Sequence, residues 1–352
     1  MKTNLKSLGE FGWINSMASG FKSLIPEGVT GIGDDCAVIP RNEEYDYIVT
    51  TDMLVENIHF LPGRISPEDL GHKSLAVNLS DIAAMGGRPI GSFLSIGIPE
   101  STDISVLNGF ISGYRSLSEK TGTPLLGGDT TSSGGGLVIN VTVIGECKKG
   151  QAKLRASALP GDIICVTGIV GDSAGGLQVL LENKEFSPVN DKLLNAHHRP
   201  YPHLSEGEWL GKYSEVHAMM DVSDGIASDI KHIVKASEVN ISIDLSRLPV
   251  SEELRLASEQ YGWNMEYLAT SVGEDYVLML TINPDAFNEI SIAFKELFGR
   301  PLYTIGKVTG SCKKDKTSEA PVIEWLRSGN TVKFNATGFD HFKNSKTLTT
   351  IF

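Results

Sequence analysis

Short glycine- or threonine-marked turns that carry aspartate recur through this chain, and several follow a strand-like apolar run. The turns are GIGDDCAVI, TTDML, NLSDIAAMGG, GGDTT and DVSDG. One such aspartate needs no ligand, because its side chain can hydrogen-bond its own backbone. Five such turns favour a fold in which carboxylates converge on a cluster of hard divalent ions carrying a polyphosphate. The aspartates are Asp34, Asp35, Asp52, Asp81, Asp129, Asp221 and Asp224.

Between these turns, β-rich runs alternate with helical ones. Apolar residues at helical spacing predict a helix in SPEDLGHKSLAVNLSDIAAMG, whereas GSFLSIGIP and GLVINVTVIGEC are typical of strands. LLGGDTT is interpreted as a strand that runs into a loop. The polar stretch KKGQAKLRASALPGD indicates a domain boundary. We therefore predict α/β or α+β architecture in two domains, residues 1–149 and 150–352.

Composition limits the partners. The formal net charge of −12 and the scattered basic residues argue against nucleic acid, although bridging metal ions would let an acidic protein bind anions. The four cysteines are widely spaced, which argues against a disulfide or zinc framework. No stretch approaches the roughly 18 apolar residues of a membrane span. We expect a cytoplasmic protein with no membrane partner.

DVSDG is the strongest single motif. Asp221 ends the apolar run VHAMM, and Ser223 or Asp224 could cap a helix that begins near Gly225. Capping alone would explain the motif. Alternatively, the helix N-terminus binds phosphate, with metal ions bridging it to the carboxylates. Asp229, farther along, is interpreted as a solvated residue.

Other motifs also leave two readings open. The hydroxyl and carboxylate oxygens of TTDML suit Mg²⁺ but are also ordinary strand residues. Asp81 lies among apolar neighbours, where an unpaired buried carboxylate is costly, so it faces either solvent or a cation. Arg155 suits phosphate or a surface salt bridge. His59 could be structural or a ligand contact, and Glu274 could meet a cationic ligand group or close a turn.

Taken together and in this order, the motifs resemble those of the thiamine-monophosphate kinase family, within the wider group that contains aminoimidazole ribonucleotide synthetase. The resemblance runs from GIGDDCAVI to TGFDHF and includes GHKSLAVNLSDIAAMGGRP, GGDTT, GDSAGGL, DVSDGIASDI and GEDY. It implies a two-domain fold of that group, with an N-terminal mixed sheet that pairs in a homodimer and a C-terminal α/β domain.

The resemblance also implies an activity. ATP would phosphorylate thiamine monophosphate to thiamine diphosphate by direct transfer, assisted by several Mg²⁺ ions and without a dedicated catalytic base. Carried over by motif, the metal ligands would be Asp35, Thr50, Thr51, Asp52, Asp81, Asp129, Asp221 and Asp224; the ATP contacts Gly128, Asp129, Arg155 and Ser223; and the substrate contacts His59, Glu274 and Phe339. Asp34 is left as a neighbour of the site.

Phe339 departs from the family, which often has Tyr or Trp there. Stacking on the substrate survives that change, whereas a side-chain hydrogen bond does not. Two alternatives remain: another ATP-using synthetase of the group, acting in purine biosynthesis, and a non-enzymatic protein that binds divalent ions.

Overall fold

The computed structural model describes residues 5–312 and 321–334. Phe339 therefore lies outside the described residues. The helices are α1 Leu5–Phe21, α2 Pro67–Ala84, α3 Ile104–Thr121, α4 Asp172–Leu181, α5 Pro188–His198, α6 Leu204–Leu210, α7 Ile226–Ser237, α8 Glu252–Tyr261, α9 Met265–Ser271 and α10 Pro284–Phe298. None of these helices is long and apolar enough to cross a membrane.

The strands form two mixed sheets, with the orders β1-β2-β5-β3-β4 and β12-β11-β8-β10-β6-β9-β7. They are β1 Ala37–Pro40, β2 Tyr45–Val55, β3 Arg88–Pro99, β4 Leu125–Ser133, β5 Val138–Lys148, β6 Ile163–Val166, β7 Val216–Asp221, β8 Val239–Asp244, β9 Leu278–Ile282, β10 Tyr303–Ser311, β11 Ile323–Arg327 and β12 Asn330–Thr331. Two α/β layers of this kind were predicted, and the prediction is confirmed. The first sheet ends at Lys148 and the second begins at Ile163; the boundary at 149/150 stays a prediction.

Helix α2 begins where the sequence predicts. The Ser66 hydroxyl accepts a hydrogen bond from the Asp69 amide at 3.0 Å, and Pro67 occupies the first turn, where its missing N–H costs nothing. The helix is buried along most of its length because it packs against the first sheet, α3 and elements of the second half. Its position between the two sheets places its side chains at their junction.

The first sheet has one covered and one uncovered face. Along β2 and β5, alternate residues such as Ile48 and Val141 are buried beneath α2. The intervening residues, among them Val49 and Ile144, point to the other face and are only half-buried. Strand β4 forms an edge of this sheet and is exposed at almost every residue. The uncovered face thus carries half-buried apolar side chains.

The strand interpretation of LLGGDTT needs one correction. The segment does not leave the sheet after a buried strand, because β4 continues to Ser133 and is itself exposed. Its parallel pairing with β3 extends as far as Pro99 opposite Ser133. Gly128 is required there, since a Cβ on it would lie 1.7 Å from the Leu94 carbonyl oxygen.

Helices α2 and α3 touch through glycines, which gives a stability prediction. A Cβ on Gly113 would lie 1.8 Å from the Glu68 carbonyl oxygen, so Gly113→Ala must push α3 away from α2. We expect urea denaturation to show a loss of about 1–3 kcal/mol in the free energy of unfolding. Gly134→Ala is the control, because its Cβ would meet nothing within 4 Å. Equal midpoints for the two variants would contradict this close packing.

Candidate active site

A cavity of about 500 Å³ lies between the two sheets. Its walls come from both halves of the chain: β2, α2 and the turn before β1 on one side, and the turn after β7 and residues 272–276 on the other. Helix α1 also reaches it through Glu10 and Phe11. A ligand in this cavity would contact both halves at once.

Three carboxylates from separate elements meet in this cavity. Asp35 precedes β1, Asp81 lies near the end of α2 and Asp221 ends β7. One carboxylate oxygen of each lies within 4.8 Å of the others. Ser80 donates a hydrogen bond to Asp221 Oδ2 at 2.6 Å, and Thr50 donates one to Asp81 Oδ2. The carboxylates are therefore oriented by hydroxyl groups as well as brought together.

This arrangement is electrostatically unfavourable without a cation. Burial, and next the Asp35 carboxylate, raise the pKa of Asp221 to about 8 and that of Asp52 to about 6. Burial, followed by Asp52 and Asp221, raises the pKa of Asp81 well above its usual value. The guanidinium of Arg155, which pairs with Asp35, offsets part of this repulsion, and the remaining carboxyls need protons or a metal ion to neutralise them.

The donor set fits a hard divalent cation. Asp35 Oδ2 is buried and has no hydrogen-bond partner within residues 5–312 and 321–334, although it lies in the carboxylate cluster. Buried polar atoms are nearly always paired, so this oxygen indicates a missing partner. The cluster and its hydrogen-bond partners Thr50 and Ser80 supply carboxylate and hydroxyl oxygens, which Mg²⁺ prefers as ligands. Asp35, Asp52, Asp81 and Asp221 are suited to hold such ions.

Most of the residues predicted from the sequence line this one cavity. They are Asp35, Thr50, Thr51, Asp52, His59, Asp81, Arg155, Asp221, Ser223, Asp224 and Glu274. Asp34 lines it too, and its Oδ1 accepts a hydrogen bond from the Arg155 amide at 2.7 Å. The individual ligand roles stay predictions.

Gly128 and Asp129 are not among the residues that line this cavity. Asp129 pairs with Ser95 across β3, Ser95 with Asn140 across β5, and Asn140 with Met53 of β2. Three strand spacings, about 14 Å, thus separate Asp129 from Met53. Asp129 lies on the uncovered face of the first sheet, at its exposed edge.

Arg155 forms a buried ion pair. One guanidinium nitrogen lies 2.5 Å from Asp35 Oδ1, and the side chain is only 16% exposed. Its Nε is buried without a hydrogen-bond partner among the described residues. The surface salt bridge weighed from the sequence is therefore wrong, and the guanidinium keeps an unused donor beside the carboxylate cluster.

The structure corrects two interpretations of the DVSDG region. Asp229 is not solvated: it is 1% exposed, lines the cavity and accepts a hydrogen bond from the Asp224 amide at 3.1 Å. Helix α7 has Gly225 at its N-cap position, so neither Ser223 nor Asp224 occupies the position that the sequence suggested for them. The Asp229 side chain points towards the turn that carries Asp221 and Asp224. No periodicity in the sequence indicated this orientation.

Sequence reasoning also missed a polar group elsewhere in the cavity. Lys73 of α2 is 1% exposed and lies 3.1 Å from Glu274, while His197 at the end of α5 lies 3.2 Å from it. His59 is held by the Val55 amide, which donates to its Nδ1 at 3.0 Å. Lys73 stands between His72 and Ser74 in the sequence, so no local signal indicated its burial.

Comparisons with known proteins identify the family of this chain. The models of the AIR synthase related protein family match residues 33–147 with the N-terminal domain and 160–317 with the C-terminal domain. Thiamine-monophosphate kinase of Haemophilus influenzae is 36% identical, with 97% of this chain and all of that protein covered. The Bacillus subtilis enzyme of the same name is 38% identical over 89% of this chain and 93% of its own length.

Solved structures extend the similarity to the fold. The structure of AaThiL in complex with AMPPCP and TMP superposes with a TM-score of 0.83 at 31% identity, covering 97% of this chain and 99% of that one. Thiamine monophosphate kinase from Aquifex aeolicus superposes with a TM-score of 0.77 at 30% identity over 94% of this chain and 100% of that one. The chain therefore belongs to the AIR synthase related family and, within it, to the thiamine-monophosphate kinases.

Proposed function

We propose that this protein transfers the γ-phosphoryl group of ATP to the phosphate of thiamine monophosphate, which gives thiamine diphosphate and ADP. The observation that carries the proposal is the cluster of Asp35, Asp81 and Asp221, whose oxygens lie within 4.8 Å of one another in a cavity between the two sheets. Membership of the kinase family supports this choice of substrates over a purine-biosynthesis synthetase.

Several Mg²⁺ ions, held by Asp35, Asp52, Asp81 and Asp221 with the other predicted ligands, would neutralise the two phosphate chains. Thr50 and Ser80 orient the carboxylates through their hydroxyl groups. Arg155 is placed to donate to phosphate through its guanidinium. These residues bind and orient, and phosphoryl transfer depends chiefly on such positioning.

No dedicated base is required for this reaction. The attacking atom is an oxygen of the acceptor phosphate, which is already anionic near neutral pH, so no proton need be removed from it. Of the cavity histidines, His197 is buried and His198 half-buried near Lys73, and burial is the main cause that lowers the pKa of both. We therefore propose direct in-line transfer without a phosphorylated protein intermediate.

Product analysis tests the function. The purified protein, ATP, Mg²⁺ and thiamine monophosphate should yield thiamine diphosphate and ADP in equal amounts. With radiolabelled ATP, no labelled protein should be trapped on quenching. Absence of thiamine diphosphate under conditions where the protein binds ATP would refute the kinase proposal, whereas a labelled protein would refute only direct transfer.

We further propose a cytoplasmic homodimer in which two first sheets pair through their uncovered faces. The half-buried apolar residues Val49 and Ile144 on that face support this arrangement. The four unpaired cysteines suit a reducing compartment. Gly128 and Asp129 lie on the same sheet. We propose that both contact ATP and that Asp129 also binds a metal ion, and Asp129→Asn would test these contacts.

Disruption of the dimer is expected from one charged residue on this face. Ile144→Arg would place a guanidinium in the centre of the proposed interface, where burial without a partner is costly. Light scattering should give a mass near 38.0 kDa for this variant and about twice that for the unmodified chain. Ile292→Arg, on an exposed position of α10, is the control. A dimer that survives Ile144→Arg would contradict the proposed interface.

A further inference from the structure

Lys73 and Asp81 lie on the same helix, eight residues apart, and both line the cavity. At a rise of 1.5 Å per residue, about 12 Å along the axis of α2 separates them. The carboxylate cluster at Asp81 and the region around Lys73 therefore lie at different ends of the same cavity. Helix α2 joins them. An extended ligand whose phosphate lies at Asp81 would place its far end near Lys73.

The Glu274 side chain is contacted by two residues, Lys73 and His197. Lys73 Nζ lies 3.1 Å from the Glu274 carboxylate, and His197 Nδ1 lies 3.2 Å from Glu274 Oε2. His197 Nδ1 also lies 3.1 Å from the Ser173 hydroxyl oxygen. Lys73 and His197 are almost fully buried, whereas the Glu274 side chain keeps 25% of its surface exposed and lines the cavity. The two buried partners thus fix the Glu274 carboxylate, which remains accessible from the cavity.

The backbone of Glu274 is held as firmly as its side chain. Glu274 adopts a φ of 59°, which is unusual for a residue other than glycine, and its amide donates to the Ser223 carbonyl at 2.7 Å. A Cβ on the preceding Gly273 would lie 2.2 Å from that same oxygen. Strained backbone of this kind persists where surrounding contacts impose it. Glu274 is therefore locked to the turn that carries the metal-side aspartates.

From this geometry we infer that Lys73 and His197 are positioning residues, which hold Glu274 so that its carboxylate accepts a hydrogen bond from the aminopyrimidine ring of the acceptor. This inference rests on the proposed function. In thiamine monophosphate the phosphate and the aminopyrimidine are at opposite ends of the molecule, and Asp81 and the Lys73 partner of Glu274 are about 12 Å apart along α2. Leu177 and Val272, which also line the cavity, suit the apolar parts of that ring.

Charge favours the aminopyrimidine over a cationic group at this end. The ammonium of Lys73 and the carboxylate of Glu274 form a pair without net charge, so a further cation gains little there. A neutral ring with an N–H donor can still use the free oxygen lone pairs of the carboxylate. Removal of Lys73 would leave the carboxylate free to change its rotamer, and the hydrogen bond to the ring would lose its fixed geometry.

The test compares thiamine monophosphate with its analogue that lacks the pyrimidine amino group. For the unmodified protein, the analogue should raise KM by at least tenfold and leave the KM for ATP within twofold. Lys73→Met and His197→Leu should each raise the KM for thiamine monophosphate about tenfold and should no longer discriminate between the two acceptors. Lys73→Arg, which keeps the charge, should recover part of the discrimination. Lys192→Met is the matched control, because Lys192 pairs with Glu253 on the surface.

The outcomes separate this inference from the proposed function. If the unmodified protein does not phosphorylate thiamine monophosphate, the proposed function fails. If it does, but Lys73→Met and His197→Leu still prefer thiamine monophosphate as strongly as the unmodified protein, the positioning role is refuted. Should Lys73→Met not fold by circular dichroism, Glu274→Leu, which has no oxygen to accept the hydrogen bond, decides with the same two acceptors. Undiminished discrimination by that variant overturns the inference.

Discussion

Replacement of Asp81 by asparagine is expected to lower turnover more than 100-fold while the protein remains folded. Loss of an outer partner of a metal ligand already costs about 10–100-fold, and Asp81 belongs to the carboxylate cluster itself. Asparagine has the same size and can still accept the hydrogen bond from Thr50. Steady-state rates of thiamine diphosphate formation at saturating ATP and Mg²⁺ measure the effect.

The thermal midpoint distinguishes this result from misfolding. The metal-free Asp81→Asn variant should be at least as stable as the unmodified protein, because the substitution removes a buried group that the neighbouring carboxylates repel. The gain in midpoint on addition of Mg²⁺ should shrink. Asp285→Asn, at an exposed position of α10, should alter neither quantity. Turnover near that of the unmodified protein would remove Asp81 from the site.

Asp221 is expected to make the free energy of unfolding of the metal-free protein strongly dependent on pH. Its pKa is raised from 3.8 to about 8 in the folded state, chiefly by burial. Between these values the unfolded chain has released the proton while the folded chain retains it. The free energy of unfolding therefore falls as pH rises, with a contribution that approaches about 1.4 kcal/mol per pH unit. Below the unfolded pKa both states are protonated and the effect disappears.

Denaturant unfolding of the chelator-treated protein at about pH 5, 6 and 7 measures this slope. Asp221→Asn should make the slope less negative, since asparagine does not titrate in this range, and Asp285→Asn should leave it unchanged. Saturating Mg²⁺ should reverse the trend for the unmodified protein, because the ions replace the protons. Identical slopes for Asp221→Asn and the unmodified protein would show that Asp221 ionises normally in the folded state.

Much of the architecture could be predicted because local signals agreed with tertiary packing. The start of α2 at Ser66 and Pro67 and the end of α3 at Gly122 follow from capping chemistry that lies within a few residues. Helices α1, α6 and α9 received no prediction. Two of these, α6 and α9, have only seven residues, too few for a periodic pattern.

Within the site, the sequence indicated the residues in turns and missed those inside helices. The aspartates of GIGDDCAVI and DVSDG are visible because glycines and strand ends flank them. Asp229 and Lys73 lie within helices, and only the neighbouring elements decide whether such positions face solvent or a cavity. The exposed position of Asp129 depends on β4 forming the edge of the sheet, which is a property of strand order and not of the local sequence.

The position of α2 has a consequence for how the chain unfolds. Ala83 and Ala84 at its end are fully buried with Leu210 and Met219 of the second half, and a Cβ on Gly207 would lie 2.2 Å from the Ala83 carbonyl oxygen. The same helix forms part of the core of the first sheet. Neither half can therefore unfold without exposing apolar surface of the other. The two halves should lose their structure in one cooperative transition. An ion bound between them should stabilise both halves against unfolding.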